Sequence, residues 1–238
     1  MGLLDRKVVV TGASRGIGKA IAQAFRDEGA WVVGTSTGSG GGSGEQCQEW
    51  VQADFSSVAE IERCAARIVE IQPDVLVNNA GINRNAPFLE IPPEVFRLIQ
   101  QVNVFAPFLL CQAALPAMKS KGWGRIVNIS SIFGKISMAH RASYSASKFA
   151  LDGMTVAIAA EYAADGILAN SIAPGFIDTD LTQRMLGASG IAALTAKVPA
   201  RRLGSVEEIA RLVVWLAGNE NTFISGQNIA IDGGFTRV

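Results

Sequence analysis

Apolar and polar positions along this chain follow two rhythms. Short runs of β-branched and aliphatic residues at 7–11, 31–35, 50–53, 74–78, 125–130, 167–173 and 227–231 are too brief for helices and predict seven strands. Between most of them lie longer segments with apolar residues at helical spacing, at 16–28, 58–71, 94–119, 143–163 and 206–217. A strand, a helix and a further strand, repeated, predict an α/β chain with a parallel, doubly wound sheet. Runs as apolar as Val8-Val9-Val10 and Val75-Leu76-Val77 suit a sheet covered by helices on both faces.

Two segments break the rhythm. Residues 38–44 are almost entirely glycine and serine, where a crossover helix is due, and predict a mobile loop with little helix before Trp50. Residues 177–199, rich in Gly, Ala and Thr, follow Pro174-Gly175 and predict a lid over a substrate site.

Composition narrows the picture. With 238 residues and 49% hydrophobic content the chain fits one domain around one large core, spanning 1–238. Lys+Arg and Asp+Glu are both 21, which removes any net electrostatic pull toward nucleic acid or an anionic membrane and points to small-molecule ligands. Cys47, Cys64 and Cys111 stand in dissimilar contexts without CxxC spacing, as buried thiols of a cytoplasmic protein do. The N-terminus shows no secretory signal. The apolar stretch from Val102 to Met118 is interrupted by Asn103, Pro107, Gln112 and Pro116; it falls short of the roughly 20 apolar residues of a membrane span and predicts a buried helix.

Chemistry enters at the strand ends. The first strand runs into Thr11-Gly12-Ala13-Ser14-Arg15-Gly16-Ile17-Gly18 and then directly into a helical pattern. Glycines there let the backbone turn tightly and approach a pyrophosphate, while the helix start offers unpaired N–H groups and partial positive charge. The fold expected is therefore a Rossmann-type domain, although the spacing is Gly-x3-Gly-x-Gly and not Gly-x-Gly-x2-Gly. After the second strand an NAD-preferring enzyme carries Asp or Glu for the ribose 2′-hydroxyl. This chain has Thr35-Ser36-Thr37, and Arg15 is placed to pair with a 2′-phosphate, so NADP(H) is expected in preference to NAD(H), with NAD(H) still possible. Asn78-Asn79-Ala80-Gly81 ends the fourth strand and Ser130-Ser131 the fifth, at the carboxyl edge where open α/β sheets bind ligands. Tyr144 and Lys148 follow at i and i+4, on one helix face. No metal site is expected, since the only histidine, His140, has no cluster of metal-ligating residues beside it.

In this order the motifs resemble the short-chain dehydrogenase/reductase family, and most closely its bacterial 3-oxoacyl-[acyl-carrier-protein] reductase branch. The resemblance runs from Thr11–Gly18 through Asn78–Gly81, Ser131, Tyr144-x3-Lys148 and Pro174-Gly175 with Thr179, to Ile231-Asp232-Gly233-Gly234. It implies a catalytic set of Asn103, Ser131, Tyr144 and Lys148, with Asn103 holding through its helix backbone a water that leads protons toward Lys148. It implies cofactor contacts from Asp54 and Phe55 near the adenine, Asn79 to Gly81 along the ribose, and Ile177 and Thr179 at the nicotinamide amide. The same likeness, with the apolar faces of the helices at 94–119 and 143–163, implies a homotetramer.

The reaction expected is hydride exchange between a ketone and a secondary alcohol, with a 3-oxoacyl thioester as the favoured substrate and a sugar, polyol or other small alcohol as the alternative. Carrier-protein reductases of this type place basic residues just before the fifth and sixth strands. Here those stretches read Lys119-Ser120-Lys121-Gly122 and Ala163-Ala164-Asp165-Gly166, and Asp165 makes acyl carrier protein a doubtful partner. A dinucleotide-binding regulator without turnover is the alternative from another class, but it would have no need of all four catalytic-type residues.

Overall fold

The computed structural model describes residues 2–38 and 45–237. The loop expected around 38–44 therefore lies, from 39 onward, outside the described residues. Seven strands form one parallel sheet: β1 (Lys7–Val10), β2 (Trp31–Ser36), β3 (Glu49–Gln52), β4 (Val75–Asn78), β5 (Gly124–Ile129), β6 (Ile167–Pro174) and β7 (Asn228–Ile231). Their spatial order is β3-β2-β1-β4-β5-β6-β7, and every pairing is parallel. The chain winds outward from β1 in one direction and from β4 in the other, so the topological switch point falls between them. In doubly wound sheets the ligand crevice opens there, past the carboxyl ends of the strands.

Helices α1 (Gly16–Asp27) and α7 (Val206–Ala217) lie on one face of the sheet, packed against each other and over residues such as Val8, Val10, Val75 and Val77. Helix α2 (Val58–Ile71) covers the other face with α4 (Ala106–Lys121) and α5 (Ala142–Tyr162), over Val9, Leu76 and Ile126. Adjacent strand residues alternate between the two cores, which is why these strands read as continuous apolar runs. A buried polar thread crosses the sheet centre. Asn78 donates to Asn128 at 2.8 Å, Asn128 donates to Thr155 of α5 at 2.8 Å, and Thr155 and Ser171 share a further bond at 2.8 Å. Leaving any of these groups unpaired would cost on the order of 1–3 kcal/mol, so together they fix β4, β5, β6 and α5 in relative position.

Two expectations are corrected. The helix expected at 94–119 is three pieces: α3 (Pro93–Gln100), a π-helical turn (Gln101–Phe105) and α4. The stretch Pro93–Lys121 is 29 residues long and meets the length and composition of a membrane span. It nevertheless packs along α2 and α5 against the sheet, with half of its most apolar window buried. The lid segment contains a helix that the alternation did not predict, α6 (Asp180–Thr195), capped by the Thr179 hydroxyl accepting from Thr182 N at 3.2 Å and broken at Gly187, where φ is 60°.

Candidate active site

The switch-point crevice is built from the glycine loop and the ends of β2 and β4. Gly12 and Gly16 hold φ of 65° and 53°, values that favour glycine over residues with a Cβ. A Cβ on Gly12 would lie 3.1 Å from the Ala80 backbone, and one on Gly18 would strike the Gly12 carbonyl. The loop is stitched to its neighbours. Gly12 N donates to the Thr35 hydroxyl at 3.0 Å, and the Asn79 side chain donates to the Thr11 and Gly12 carbonyls at 2.9 and 3.2 Å. Thr11, a residue the motif reading left without a role, accepts from both Asn79 N and Ala80 N at 2.9 Å and so ties the two strand ends across the switch point. Asn79 thus holds the crevice together as well as lining it.

The rim has the character expected for NADP. No carboxylate follows β2; Ser36 is buried there with its hydroxyl unpartnered, and Thr37 is exposed. Arg15 and Ser14 stand exposed at the start of α1, and no ion pair involving Arg15 occurs among the described residues. A glycine cradle that a Cβ would fill, an orphaned hydroxyl and an uncommitted guanidinium fit a dinucleotide with a 2′-phosphate. Across the crevice the Thr179 methyl lies 3.9 Å from where a Cβ on Gly16 would stand, so the start of the lid faces the glycine loop. Ile177 is buried and bridged to Gly204. Asp54 accepts from Ser56 N at 2.9 Å and shapes the turn into α2. The Phe55 side chain is buried in the core beside α2, which leaves its ring no free face for an adenine.

The four catalytic-type residues converge at the ends of β4 and β5. Ser131 sits just past β5, where its hydroxyl accepts from Phe133 N at 3.1 Å and hydrogen-bonds the Tyr144 hydroxyl. Tyr144 and Lys148 occupy one face of α5. The Lys148 ammonium donates to the Ile129 carbonyl at 2.8 Å and lies 5.5 Å from the Tyr144 ring centroid. Asn103 is buried in the π-helical turn. Its side chain is spent on structure, accepting from Ile82 N at 2.9 Å and donating to the Ile82 carbonyl at 2.9 Å and the Ser147 hydroxyl at 3.0 Å. Any contact with water falls to its backbone, and a π-turn is the local geometry that displaces carbonyls from the helical ladder. A Cβ on Gly81 would sit 3.3 Å from Asn103 Oδ1 and 3.6 Å from Lys148 Nζ, which places the chain just past β4 beside both side chains.

Burial sets the electrostatics. It pushes the Tyr144 phenol above its ordinary range, against the opposing pull of the Ser131 hydrogen bond and the charge of Arg141. It pushes the Lys148 ammonium down to about 8. The side-chain charge acting on the phenol is that of Arg141. Sequence reasoning missed Arg141. Its signal was the spacing: Arg141, the N-cap residue of α5, precedes Tyr144 by three residues and Lys148 by seven, which brings it to their side of the helix.

Among the described residues no group of three or more His, Cys, Asp or Glu side chains could hold a metal ion, and Cys47, Cys64 and Cys111 are free and buried. Lys119 pairs with Asp165 at 3.0 Å and Lys121 with Asp74 at 2.9 Å. The two lysines that could have replaced a carrier-binding arginine are therefore paired with the chain's own carboxylates.

A family model described as Enoyl-(Acyl carrier protein) reductase matches residues 12–236. The chain is 39% identical over 241 residues, with 97% of each chain covered, to the 3-oxoacyl-[acyl-carrier-protein] reductase of Escherichia coli K12. It is 36% identical over 237 residues to the acetoacetyl-CoA reductase of Shinella zoogloeoides, covering 97% of this chain and 98% of that one. Among solved structures it superposes with a TM-score of 0.92 and 34% identity on a protein from Beutenbergia cavernae assigned as an NAD(P)-dependent gluconate 5-dehydrogenase, with NADP bound at low occupancy. That match covers 100% of this chain and 99% of the other.

Proposed function

The chain belongs to the short-chain dehydrogenase/reductase family of oxidoreductases, and from that premise we propose that it is an NADP(H)-dependent ketoreductase interconverting a ketone and a secondary alcohol. The observation that carries this reading is the convergence of the Ser131 and Tyr144 hydroxyls beside Lys148 at the mouth of the glycine-lined crevice. NADP bound to a solved relative supports the cofactor, as do the unpartnered Ser36 hydroxyl and uncommitted Arg15.

The dinucleotide, when bound, supplies the hydride for the substrate carbon. The chain's own residues handle the oxygen. In reduction Tyr144 donates its phenolic proton to the carbonyl oxygen, and a phenol kept above its ordinary range by burial starts fully protonated. Ser131 donates a hydrogen bond to the same oxygen and stabilises the developing alkoxide; the loss of such a donor costs about 3–4 kcal/mol where it has been measured. Lys148, held at about 8, exchanges protons close to neutrality, which suits it to reload Tyr144 and to hold ribose hydroxyls. Water reaching Lys148 along the Asn103 backbone completes the route to solvent.

The substrate reading keeps the ketone and drops the carrier. Relatives named for 3-oxoacyl-[acyl-carrier-protein] and acetoacetyl-CoA support a 3-oxoacyl group, and the gluconate-type relative supports a small polar alcohol. The Lys119–Asp165 and Lys121–Asp74 pairs set a carboxylate beside each lysine before β5, which argues against a cationic dock there. The expected result is that an acetoacetyl thioester of a small thiol is reduced with kcat/KM within about threefold of the same group on acyl carrier protein, because the carrier adds no contact. A carrier-bound substrate preferred about tenfold or more would restore carrier docking.

An assembly of four copies fits the outer face of α3, α4 and α5. Phe96, Val104, Phe105, Phe108 and Met154 line an open, mostly apolar groove of about 590 Å³ there. A continuous apolar face of this kind is characteristic of an interface. The protein is expected to sediment as a tetramer at micromolar concentration, and Phe105→Asp with Phe108→Asp to yield smaller species; a wild-type monomer would contradict the assignment. Three buried thiols fit a reducing compartment, and we place the protein in the cytoplasm.

A further inference from the structure

Arg141, the N-cap residue of α5, is a half-buried cation. Its guanidinium lies 4.9 Å from the centroid of the Phe133 ring and donates to Asn85 Oδ1 at 2.8 Å. The Phe133 ring in turn packs edge-on against Tyr144, with centroids 6.5 Å apart, and the Phe133 N–H donates to Ser131. Arg141 therefore stands one ring away from both hydroxyls, at the start of the helix that carries Tyr144 and against the Phe133 that touches Tyr144 and Ser131. The loop after β4 closes behind it, with Ala86 N donating to the His140 carbonyl at 3.3 Å and His140 held at a φ of 68°.

What the guanidinium lacks is an anion. No ion pair forms with it among the described residues, and of its five N–H donors a single hydrogen bond, to a neutral amide oxygen, is made. Elsewhere in the chain Arg6, Arg63, Arg67, Arg202, Lys119 and Lys121 have carboxylate partners at 4 Å or less, and the buried Arg125, which has none, spends its guanidinium on the Gly124, Gly166 and Asn221 carbonyls. Burial pulls the Arg141 guanidinium below its ordinary range, and the charge felt in return is that of the Tyr144 phenol. A half-buried, desolvated cation without a counter-ion is costly to keep, and one whose charge reaches the Tyr144 phenol is complementary to charge that arrives with the ligand. Asn85 and Phe133 fix the fork in place beforehand, as bidentate recognition of a planar anion requires.

We propose that Arg141 is the substrate-anion receptor of this site and that the substrate is an oxo acid, a carbonyl compound bearing a free carboxylate that the guanidinium grips while the carbonyl oxygen lies between Ser131 and Tyr144. This rests on the ketoreductase reading and narrows it, because a thioester or a neutral polyol has no charge to place there. It also gives the fork a second effect: its charge acts on the Tyr144 phenol whatever the substrate, so loss of Arg141 slows every reduction somewhat and oxo-acid reduction far more.

The test compares a set of oxo acids of increasing carbonyl-to-carboxylate spacing (pyruvate, acetoacetate, levulinate) with their methyl esters, using NADPH and the full chain. Wild-type protein is expected to favour at least one acid over its ester. In Arg141→Gln the acid-to-ester ratio of kcat/KM should fall about 50-fold through a rise in KM for the acid, the size of a lost charge-assisted pair. Arg141→Lys should restore part of it, and NADPH binding by each variant, followed by cofactor fluorescence, confirms the fold. An unchanged ratio in Arg141→Gln, or a wild-type protein that prefers every ester, overturns the inference while leaving a working ketoreductase. A wild-type protein that reduces neither acids nor esters overturns the ketoreductase reading itself.

Discussion

Tyr144→Phe is expected to lower kcat for ketone reduction about 10³-fold while leaving NADPH affinity within about threefold, because it deletes the proposed general acid and little else. The ring remains, so its edge-on contact with Phe133 at 6.5 Å and the backbone bond from the Ser147 hydroxyl to the Tyr144 carbonyl at 2.7 Å are kept. The loss amounts to about 4 kcal/mol of transition-state stabilisation. It falls on kcat and not on KM because the proton moves only in the reacting complex. A residue that merely packed the pocket would give the opposite division. Single-turnover rates with saturating NADPH, alongside cofactor binding by fluorescence, separate the two; retention of more than about a tenth of the wild-type rate would remove Tyr144 from the proton-donor role.

Arg15→Ala is expected to lower kcat/KM with NADPH about 50-fold and with NADH less than about threefold. A charge-assisted bond to a 2′-phosphate contributes on the order of 1.5–3 kcal/mol, and NADH has no such phosphate to lose it. Arg15 is exposed, has no ion pair among the described residues and makes no side-chain capping bond to α1, so its removal leaves the helix start intact. Steady-state kinetics with both cofactors reads the ratio. Equal losses with the two would instead place Arg15 on the pyrophosphate they share.

The parts of this molecule that were legible in its sequence are those set by neighbours in the chain. The runs that became β2, β4 and β6 are two-faced cores in themselves, and α2 and α7 fall at the residues their spacing indicates, α7 with a capping box from Ser205 and Glu208. Thr11–Gly18 was readable because each glycine answers a local need of backbone geometry. What escaped depends on residues far apart. The break of the long helix at Gln101–Phe105 accompanies Asn103 bonds to Ile82 and Ser147, 21 and 44 residues away. The withdrawal of Phe55 into the core, and the pairing of Lys119 with Asp165, likewise exist only once α2, α4 and the turn before β6 have met. Arg141 went unnoticed for a related reason. Its helix spacing was visible, but its lack of a carboxylate partner is a fact about the whole surrounding structure.

Helix α6 is a different kind of miss. Its threonine cap and alanine-rich second half are local signals, but the segment lacks regular apolar spacing, and the chain breaks at Gly187 inside the helix. Since Thr179 faces the glycine loop across the crevice, α6 begins at the glycine loop itself.

The most direct test of the account is the initial rate of cofactor oxidation by the wild-type protein with an oxo acid or its ester, measured in parallel with NADPH and NADH. Cofactor oxidation is expected to depend on the ketone and to proceed with higher kcat/KM for NADPH than for NADH. Oxidation that favours NADH, or none with any ketone from a protein that binds NADPH, would contradict it.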